Sequence, residues 1–279
     1  MSEKNNVVVS VRDLVIELLD DERKSREIRY GSFDIQTGDF MLIKGRNGSG
    51  KSTFLRLFHL QGQNYFRVKS GDIFFTDKAF PNISIHKYSP AELTHLNCAT
   101  SFIGQEERFL SSDSAYSYIY NACRLALSYD KSLTASDMRD RLVAVDGLIF
   151  DYYEKYLQKS FECKNYKTFK NKNVRGWSGG QQKMINVLAG IIKAKICGLK
   201  LVVMDEPLNN LDGRNKDILN KLIAELRQGD VAVVAITHCQ IFGGVNKVMN
   251  ITEDEEGIHI AKVIDFEEPA HLECLEAYN

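Results

Sequence analysis

The stretch that most restricts what this chain can become is Gly45-Arg46-Asn47-Gly48-Ser49-Gly50-Lys51-Ser52, followed by Thr53 and the apolar run Phe54, Leu55, Leu57 and Phe58. Phe40-Met41-Leu42-Ile43 before it reads as a short buried strand. The residues after Lys51 repeat apolar positions at helical spacing, so the loop must join a strand to a helix. Its glycines leave the backbone bare, so N–H groups can close on phosphate oxygens where a helix N-terminus adds partial positive charge. In such a loop Lys51 would reach the β- and γ-phosphates of a nucleotide and the Ser52 hydroxyl would ligate Mg²⁺.

The remainder of the chain must supply a core and a sheet for that loop. With 279 residues it is long enough to bury a substantial core. No window approaches the roughly 18 uninterrupted apolar residues of a membrane span, and Met1 to Asn6 offer no apolar core for a secretory signal. A membrane role would therefore come through a partner. Lys and Arg number 36 against 37 Asp and Glu, which gives no whole-chain reason to expect nucleic acid. The six cysteines (Cys98, Cys123, Cys163, Cys197, Cys239 and Cys274) form no Cys-x-x-Cys pair and read as reduced cytoplasmic thiols.

Val7 to Val11 and Leu14 to Leu18 read as strands and, with the alternating Arg29 to Ile35, predict a hairpin across the charged Asp20 to Lys24 segment. Gln36 to Asp39 supply the turn into the strand before the phosphate loop; Gly71 to Phe75 and Ser101 to Gln105 predict further strands. From Glu106 to Gly176 the pattern turns helical, in Ala115 to Leu127 and Met138 to Leu157. Residues 102–177 hold 14 of the 28 aromatics in the chain. These rings either fill the core of a small helical lobe or present a docking surface. The basic run Lys159, Lys164, Lys167, Lys170, Lys172 and Arg175 reads as a solvated linker or a contact for an anionic partner. The acids from Glu253 to Glu276 read as a C-terminal tail, a surface cover or partner contact.

Two apolar runs have the look of buried parallel strands. Leu201 to Met204 ends in Asp205-Glu206-Pro207, which puts carboxylates at the strand's C-terminal edge, one for Mg²⁺ and one as general base. Val231 to Thr237 ends in His238, placed to hydrogen-bond a γ-phosphate or water. Finally, Trp177-Ser178-Gly179-Gly180-Gln181-Gln182 opens a helical run, giving a second helix N-terminus with exposed donors.

Taken in order, the loop at 45–52, Gln105, Ser178 to Gln181, Asp205-Glu206, Asn210-Leu211-Asp212 and His238 resemble the ATP-binding cassette (ABC) ATPases over nearly the whole chain. The resemblance implies an α/β fold with a P-loop NTPase core and a mainly parallel sheet. It adds an N-terminal antiparallel β subdomain and a helical subdomain inserted between Gln105 and the signature. A single domain over 1–279 follows, with the helical subdomain at about 107–176 and the acidic tail at about 252–279. The cofactors implied are ATP and Mg²⁺. Gly45, Arg46, Asn47, Gly48, Ser49, Gly50, Lys51, Ser52 and Thr53 would bind the nucleotide. Ser52, Gln105 and Asp205 would order the metal, Glu206 would act as base, and His238 as γ-phosphate switch. Two cassettes would pack head to tail, so that Ser178, Gly179, Gly180 and Gln181 act on the partner's nucleotide and Asp212 couples the two sites. The sequence departs from the family at Trp177, where leucine is usual, and at Asn209-Asn210. It departs again at Leu18, where an aromatic ring usually stacks on adenine; Tyr30 is the alternative ring.

Three functions stay open on these residues. The first is the ATPase subunit of a transporter, at the cytoplasmic face of a membrane, with a separately encoded permease docking around Arg108 to Tyr120. The partner cassette could be a second copy or a relative. The second is a soluble cassette that uses ATP as a clamp in assembly, nucleic-acid or defence work, and the third is a regulatory cassette without turnover.

Overall fold

The computed structural model describes residues 6–19, 25–59, 66–76, 81–84, 100–105, 109–130, 132–237 and 242–270. The chain forms two compact units, one from residues 1–97 and 226–279, the other from 98–225.

In the first unit, β1 (Val7–Leu19) and β2 (Ser25–Gln36) form the expected antiparallel hairpin. The two predicted runs of β1 are one strand. Its register shifts between Val11 and Leu14 against β2, and Asp13 there takes a left-handed φ of 43°, which is how a bulge absorbs an extra residue. The strands β3 (Phe40–Gly45), β4 (Phe66–Thr76) and β5 (Pro81–Ser84) follow, with α1 (Lys51–His59) after β3. Gly71 to Phe75 is thus part of a longer strand than its sequence signals.

Beyond β6 (Ser101–Ile103) and β7 (Leu201–Asp205) of the other unit, this unit continues with β8 (Ala232–Ile236), β9 (Val245–Glu253) and β10 (His259–Ala270). Its strands run in the order β5-β4-β1-β2-β10-β9-β3-β8. The β3 strand is parallel to both β8 and β9, while β1, β2 and β4 pair antiparallel. The acidic stretch read as a tail is therefore corrected over His259–Ala270. It is an interior strand, parallel to β2 at Ile28 and antiparallel to β9. The acids hid the alternation of His259 and Ala261, which are buried, with Lys262, which is exposed.

The phosphate loop is positioned by what flanks it. The Phe40 N–H donates to Asn246 Oδ1 at 2.7 Å, and Asn246 Nδ2 donates to Asp39 Oδ1 at 2.8 Å, which fixes where β3 begins. Phe40 to Ile43 are fully buried, as are Phe54, Leu55, Leu57 and Phe58 on α1. The Phe54 ring lies 4.7 Å from Tyr30 and 4.9 Å from Phe58, centroid to centroid. Each of these phenyl rings contributes on the order of 2–3 kcal/mol by burial, so the loop leads into an anchored helix.

The second unit holds β6 (Ser101–Ile103) parallel to β7 (Leu201–Asp205). Its helices are α2 (Ala115–Tyr129), α3 (Ala135–Tyr152), α4 (Tyr166–Asn171), α5 (Gly179–Cys197) and α6 (Gly213–Gln228), the unit's boundary falling at Glu225 within α6. Ser114 and Thr134 cap α2 and α3 with reciprocal side-chain bonds to Ser117 and Asp137. The run expected as one helix to Leu157 ends at Tyr152. A π-helical turn covers Tyr153–Leu157, followed by a short helical segment, Gln158–Phe161.

Part of the aromatic set of this unit builds its core, while Tyr129 and Phe150 are exposed. Tyr152, Tyr153, Phe161, Phe169 and Trp177 are buried, and Phe161 meets Trp177 edge to face at 5.0 Å. The basic run is ordered, which corrects the linker reading. Lys170 pairs with Asp146 at 2.7 Å, Lys172 lies 3.7 Å over the Trp177 ring, and Arg175 donates to Phe109 O at 2.9 Å.

Candidate nucleotide-binding site

The phosphate loop in the first unit closes on itself. Lys51 is buried and its Nζ donates to the carbonyl oxygens of Gly45 and Arg46 at 2.8 and 2.9 Å. The ammonium is thus held inside the loop rather than in solvent. Ser49 is buried as well, and its Oγ has no hydrogen-bond partner. A buried hydroxyl without a partner costs about 1–3 kcal/mol unless a ligand supplies one, and a phosphate oxygen is the acceptor that suits a cradle of N–H groups. Arg46, Asn47 and Gly48 are exposed along the rim, Ser52 is half-buried and Thr53 is buried.

Gly50 shows why the loop needs its last glycine. Its φ is +96°, and a Cβ there would lie 2.1 Å from Ile28 Cδ1. Tyr30, one strand position-pair further along β2, donates from its hydroxyl to Gly50 O at 3.1 Å. Tyr30 is fully buried, and that burial raises its hydroxyl pKa well above the ordinary tyrosine value. It supports the loop from below and offers no open face, which removes it as the alternative adenine-stacking ring. Leu18 is half-buried and pairs with Arg26 across the hairpin; Arg26 in turn donates to Gly48 O at 3.4 Å.

In the second unit, Ser178 is the N-cap of α5 in a complete capping box. The Gln181 N–H donates to Ser178 Oγ at 3.3 Å and the Ser178 N–H donates to Gln181 Oε1 at 3.1 Å. Ser178 and Gly179 are exposed, while Gly180 and Gln181 are half-buried. A Cβ on Gly180 would lie 2.8 Å from Asn210 O. The glycine is therefore required by close approach of the Asn209 to Asp212 turn, independently of any ligand. Asp212 caps α6, its Oδ1 accepting from the Asn215 N–H at 2.8 Å.

Asp205 ends β7 and is half-buried, whereas Glu206 is buried with a left-handed φ of +51°. Gln105 is exposed just after β6. Its backbone is held by a residue that sequence reasoning passed over. The buried Lys183 donates from Nζ to Gly104 O at 2.7 Å and to Gln105 O at 3.1 Å. The only signal was a lysine set in the apolar face of a helix, which is costly unless paired.

His238 and Arg108 lie outside the described residues. Of the segment expected to meet a permease, Leu110 is exposed, and Tyr116 and Tyr120 stack at 5.5 Å. Tyr118 is turned inward, donating to Asn186 Oδ1 at 2.9 Å.

Among the described residues no group of three or more His, Cys, Asp or Glu gathers to hold a metal ion. The half-buried Ser52 hydroxyl and the half-buried Asp205 carboxylate are hard oxygen donors of the kind Mg²⁺ takes, one or two at a time, with phosphates and water completing its shell. The cradle, its buried lysine and the orphaned Ser49 hydroxyl likewise fit a nucleotide polyphosphate.

A family model described as ABC transporter matches residues 28–209. The chain is 26% identical over 237 residues to the lipoprotein-releasing system ATP-binding protein LolD of Buchnera aphidicola, covering 84% of this chain and 89% of that protein. It is 23% identical to the energy-coupling factor transporter ATP-binding protein EcfA1 of Streptococcus sanguinis, covering 83% and 70%. Among solved structures it is similar to the dimeric post-hydrolysis state of the ATP-binding cassette MJ0796 bound to ADP and Pi. The TM-score is 0.62 at 17% identity, over 95% of this chain and 98% of that one.

Proposed function

On the premise that this chain belongs to the ABC transporter family, whose model spans residues 28–209, we propose that it is the ATP-binding, ATP-hydrolysing subunit of a membrane transporter. The observation that carries the reading is the loop at 45–53, where a buried lysine and an unpartnered buried hydroxyl line a backbone cradle. The names of the relatives, one a lipoprotein-releasing system and the other an energy-coupling factor transporter, favour this reading over a soluble clamp.

By residue, Lys51 and the N–H groups of Gly45 to Thr53 bind phosphate oxygens. Ser52, Gln105 and Asp205 hold Mg²⁺. When bound, Mg²⁺-ATP supplies the phosphoanhydride to be cleaved and the metal charge that neutralises its oxygens. Glu206 accepts a proton from water as general base, and His238 contacts the γ-phosphate. Ser178, Gly179, Gly180 and Gln181 act on the nucleotide of a second cassette, a copy of this chain or a relative, and Asp212 couples the two. The chain works as one ABC ATPase domain at the cytoplasmic face of the membrane. A separately encoded permease contacts residues 108–120. Nucleic acid has no part in this reading.

The test is Glu206→Gln. Removing the base should leave ATP binding intact and stop turnover. The 31.7 kDa chain should then run at twice its mass in ATP on a sizing column with light scattering. Hydrolysis by that variant at the parental rate would remove Glu206 as the base.

A further inference from the structure

The segment Tyr153–Phe161 has no role in the reading above, yet it bonds to both the signature residue Gln181 and helix α6. It opens with the π-helical turn Tyr153–Leu157. Such turns are uncommon and gather at functional sites. Tyr156 donates from its hydroxyl to Glu225 Oε1 at 2.5 Å, and Lys155 pairs with the same carboxylate near the end of α6. At the start of α6, Arg214 donates to Lys159 O at 3.1 Å. The segment is therefore fastened along the length of α6, the helix that follows the Asn209 to Asp212 turn.

Ser160 lies at the crossing point. Its Oγ donates to Asn215 Oδ1 at 2.5 Å, and its backbone oxygen accepts from Gln181 Nε2 at 3.2 Å. Asn215 is buried and is itself tied to Asp212 through its N–H. Gln181 is tied to Ser178 through its carbonyl oxygen. A continuous chain of hydrogen bonds thus runs Ser178, Gln181, Ser160, Asn215, Asp212. The capping box of α5 and the cap of α6 are each complete on their own residues. Among these bonds, Ser160 alone joins the two caps. Its carbonyl also settles the orientation of the Gln181 amide, because an acceptor at Nε2 leaves Oε1 for the Ser178 N–H.

We propose that Ser160 is a positioning residue that holds the signature start at Ser178 to Gln181 and the turn at Asn209 to Asp212 in a fixed register, so that the two present themselves to a partner cassette as one body. Its functional consequence rests on the sandwich-dimer reading. The register itself does not.

Ser160→Ala removes the hydroxyl and keeps the carbonyl, and Ser160→Thr restores a hydroxyl. In the nucleotide-free chain, hydrogen exchange in Ser160→Ala should rise about fivefold or more, both in peptides from 178–186 and in peptides from 209–217. Peptides from 45–59 should not change, and Ser160→Thr should return both regions to parental rates. On a Glu206→Gln background, Ser160→Ala should raise the ATP concentration needed for dimerisation about tenfold, while the affinity of the separate chain for a fluorescent ATP analogue stays unchanged. Faster exchange confined to 155–161 and 209–217, with the signature peptides unmoved, would overturn the proposal. Failure of the Glu206→Gln parent to dimerise would instead strike the sandwich reading, and the exchange data would still decide the link through Ser160.

Discussion

The Trp177 substitution can be worked through from its surroundings. The indole meets Phe161 edge to face at 5.0 Å, lies 6.3 Å from Phe169, and carries Lys172 Nζ 3.7 Å above it, while its buried Nε1 has no acceptor. Trp177→Phe loses roughly 40 Å² of apolar area, worth about 1 kcal/mol. It also removes an unsatisfied N–H whose desolvation costs about 1–3 kcal/mol, so the net change should run from zero to about 2 kcal/mol in favour of phenylalanine. Trp177→Leu restores the residue usual in the family and removes the same N–H. It further loses the aromatic pair, about 0.5–1.5 kcal/mol, and the cation–π contact, about 0.5–1 kcal/mol. A residual cavity of roughly 20–25 Å³ adds about 0.5 kcal/mol. Leucine should therefore be about 1.5–3 kcal/mol worse than phenylalanine, which at about 2–4 °C per kcal/mol separates their melting midpoints by about 3–12 °C. Far-UV circular dichroism melts of the three proteins make the comparison. Equal midpoints for the phenylalanine and leucine variants would refute the ring-contact argument. A phenylalanine variant that melts as low as leucine is expected to would show that the indole N–H has a partner after all.

Lys51→Ala should weaken ATP binding about 100-fold or more, since it removes a charged donor from a buried cradle; undiminished affinity in a titration would refute the loop assignment. Burial pushes the Cys123 thiol up to about 12, and the neighbouring Cys197 adds to the shift. Iodoacetamide at pH 8 should therefore spare Cys123 while labelling the half-buried Cys163, and peptide mass mapping with the two labelled alike would contradict this. Burial by itself would raise the Glu225 pKa, but hydrogen bonds from Lys155 and Tyr156 outweigh it and hold the carboxylate below its ordinary value. With the folded value below the unfolded one, its contribution is present above about pH 4.3 and is lost as pH falls through the folded pKa. The urea midpoint of Glu225→Gln should accordingly lie below the parent at pH 7 and converge with it toward pH 3; a gap that persists in acid would show that the loss is packing rather than charge.

What could be read from the sequence was whatever is local. The strand–loop–helix at 40–59, the helix start after Ser178 and the apolar strands at 201–204 and 232–236 depend on residues adjacent in the chain, and all appear where their patterns put them. Partners distant in sequence were invisible. Lys183 reaches Gly104 across 79 positions and Ser160 reaches Asn215 across 55, and no periodicity encodes either pair. The burial of Tyr30 was hidden for the same reason. An exposed ring and one buried under a glycine look alike until Gly50 is placed against it. The end of the chain was misread because acids at alternate and adjacent positions outweighed a weak two-residue alternation in β10.

The two halves of the expected chemistry treat backbone strain in opposite ways. In the phosphate loop the left-handed position at Gly50 is filled by the one residue for which it costs nothing. At the end of β7 the left-handed position is filled by Glu206, and four residues later Asn210 takes φ +63°. Asparagine tolerates that region through its short polar side chain, but glutamate pays about 1–2 kcal/mol for it. The turn from Glu206 to Asn210, with the Asn209 N–H on Glu206 O at 3.2 Å, would close with glycine at 206 and would be more relaxed. The backbone conformation alone therefore gives no reason for glutamate there. A buried glutamate at a left-handed position that glycine would fill without strain is the pattern expected where the carboxylate itself is required, which accords with the proposal that Glu206 is the general base.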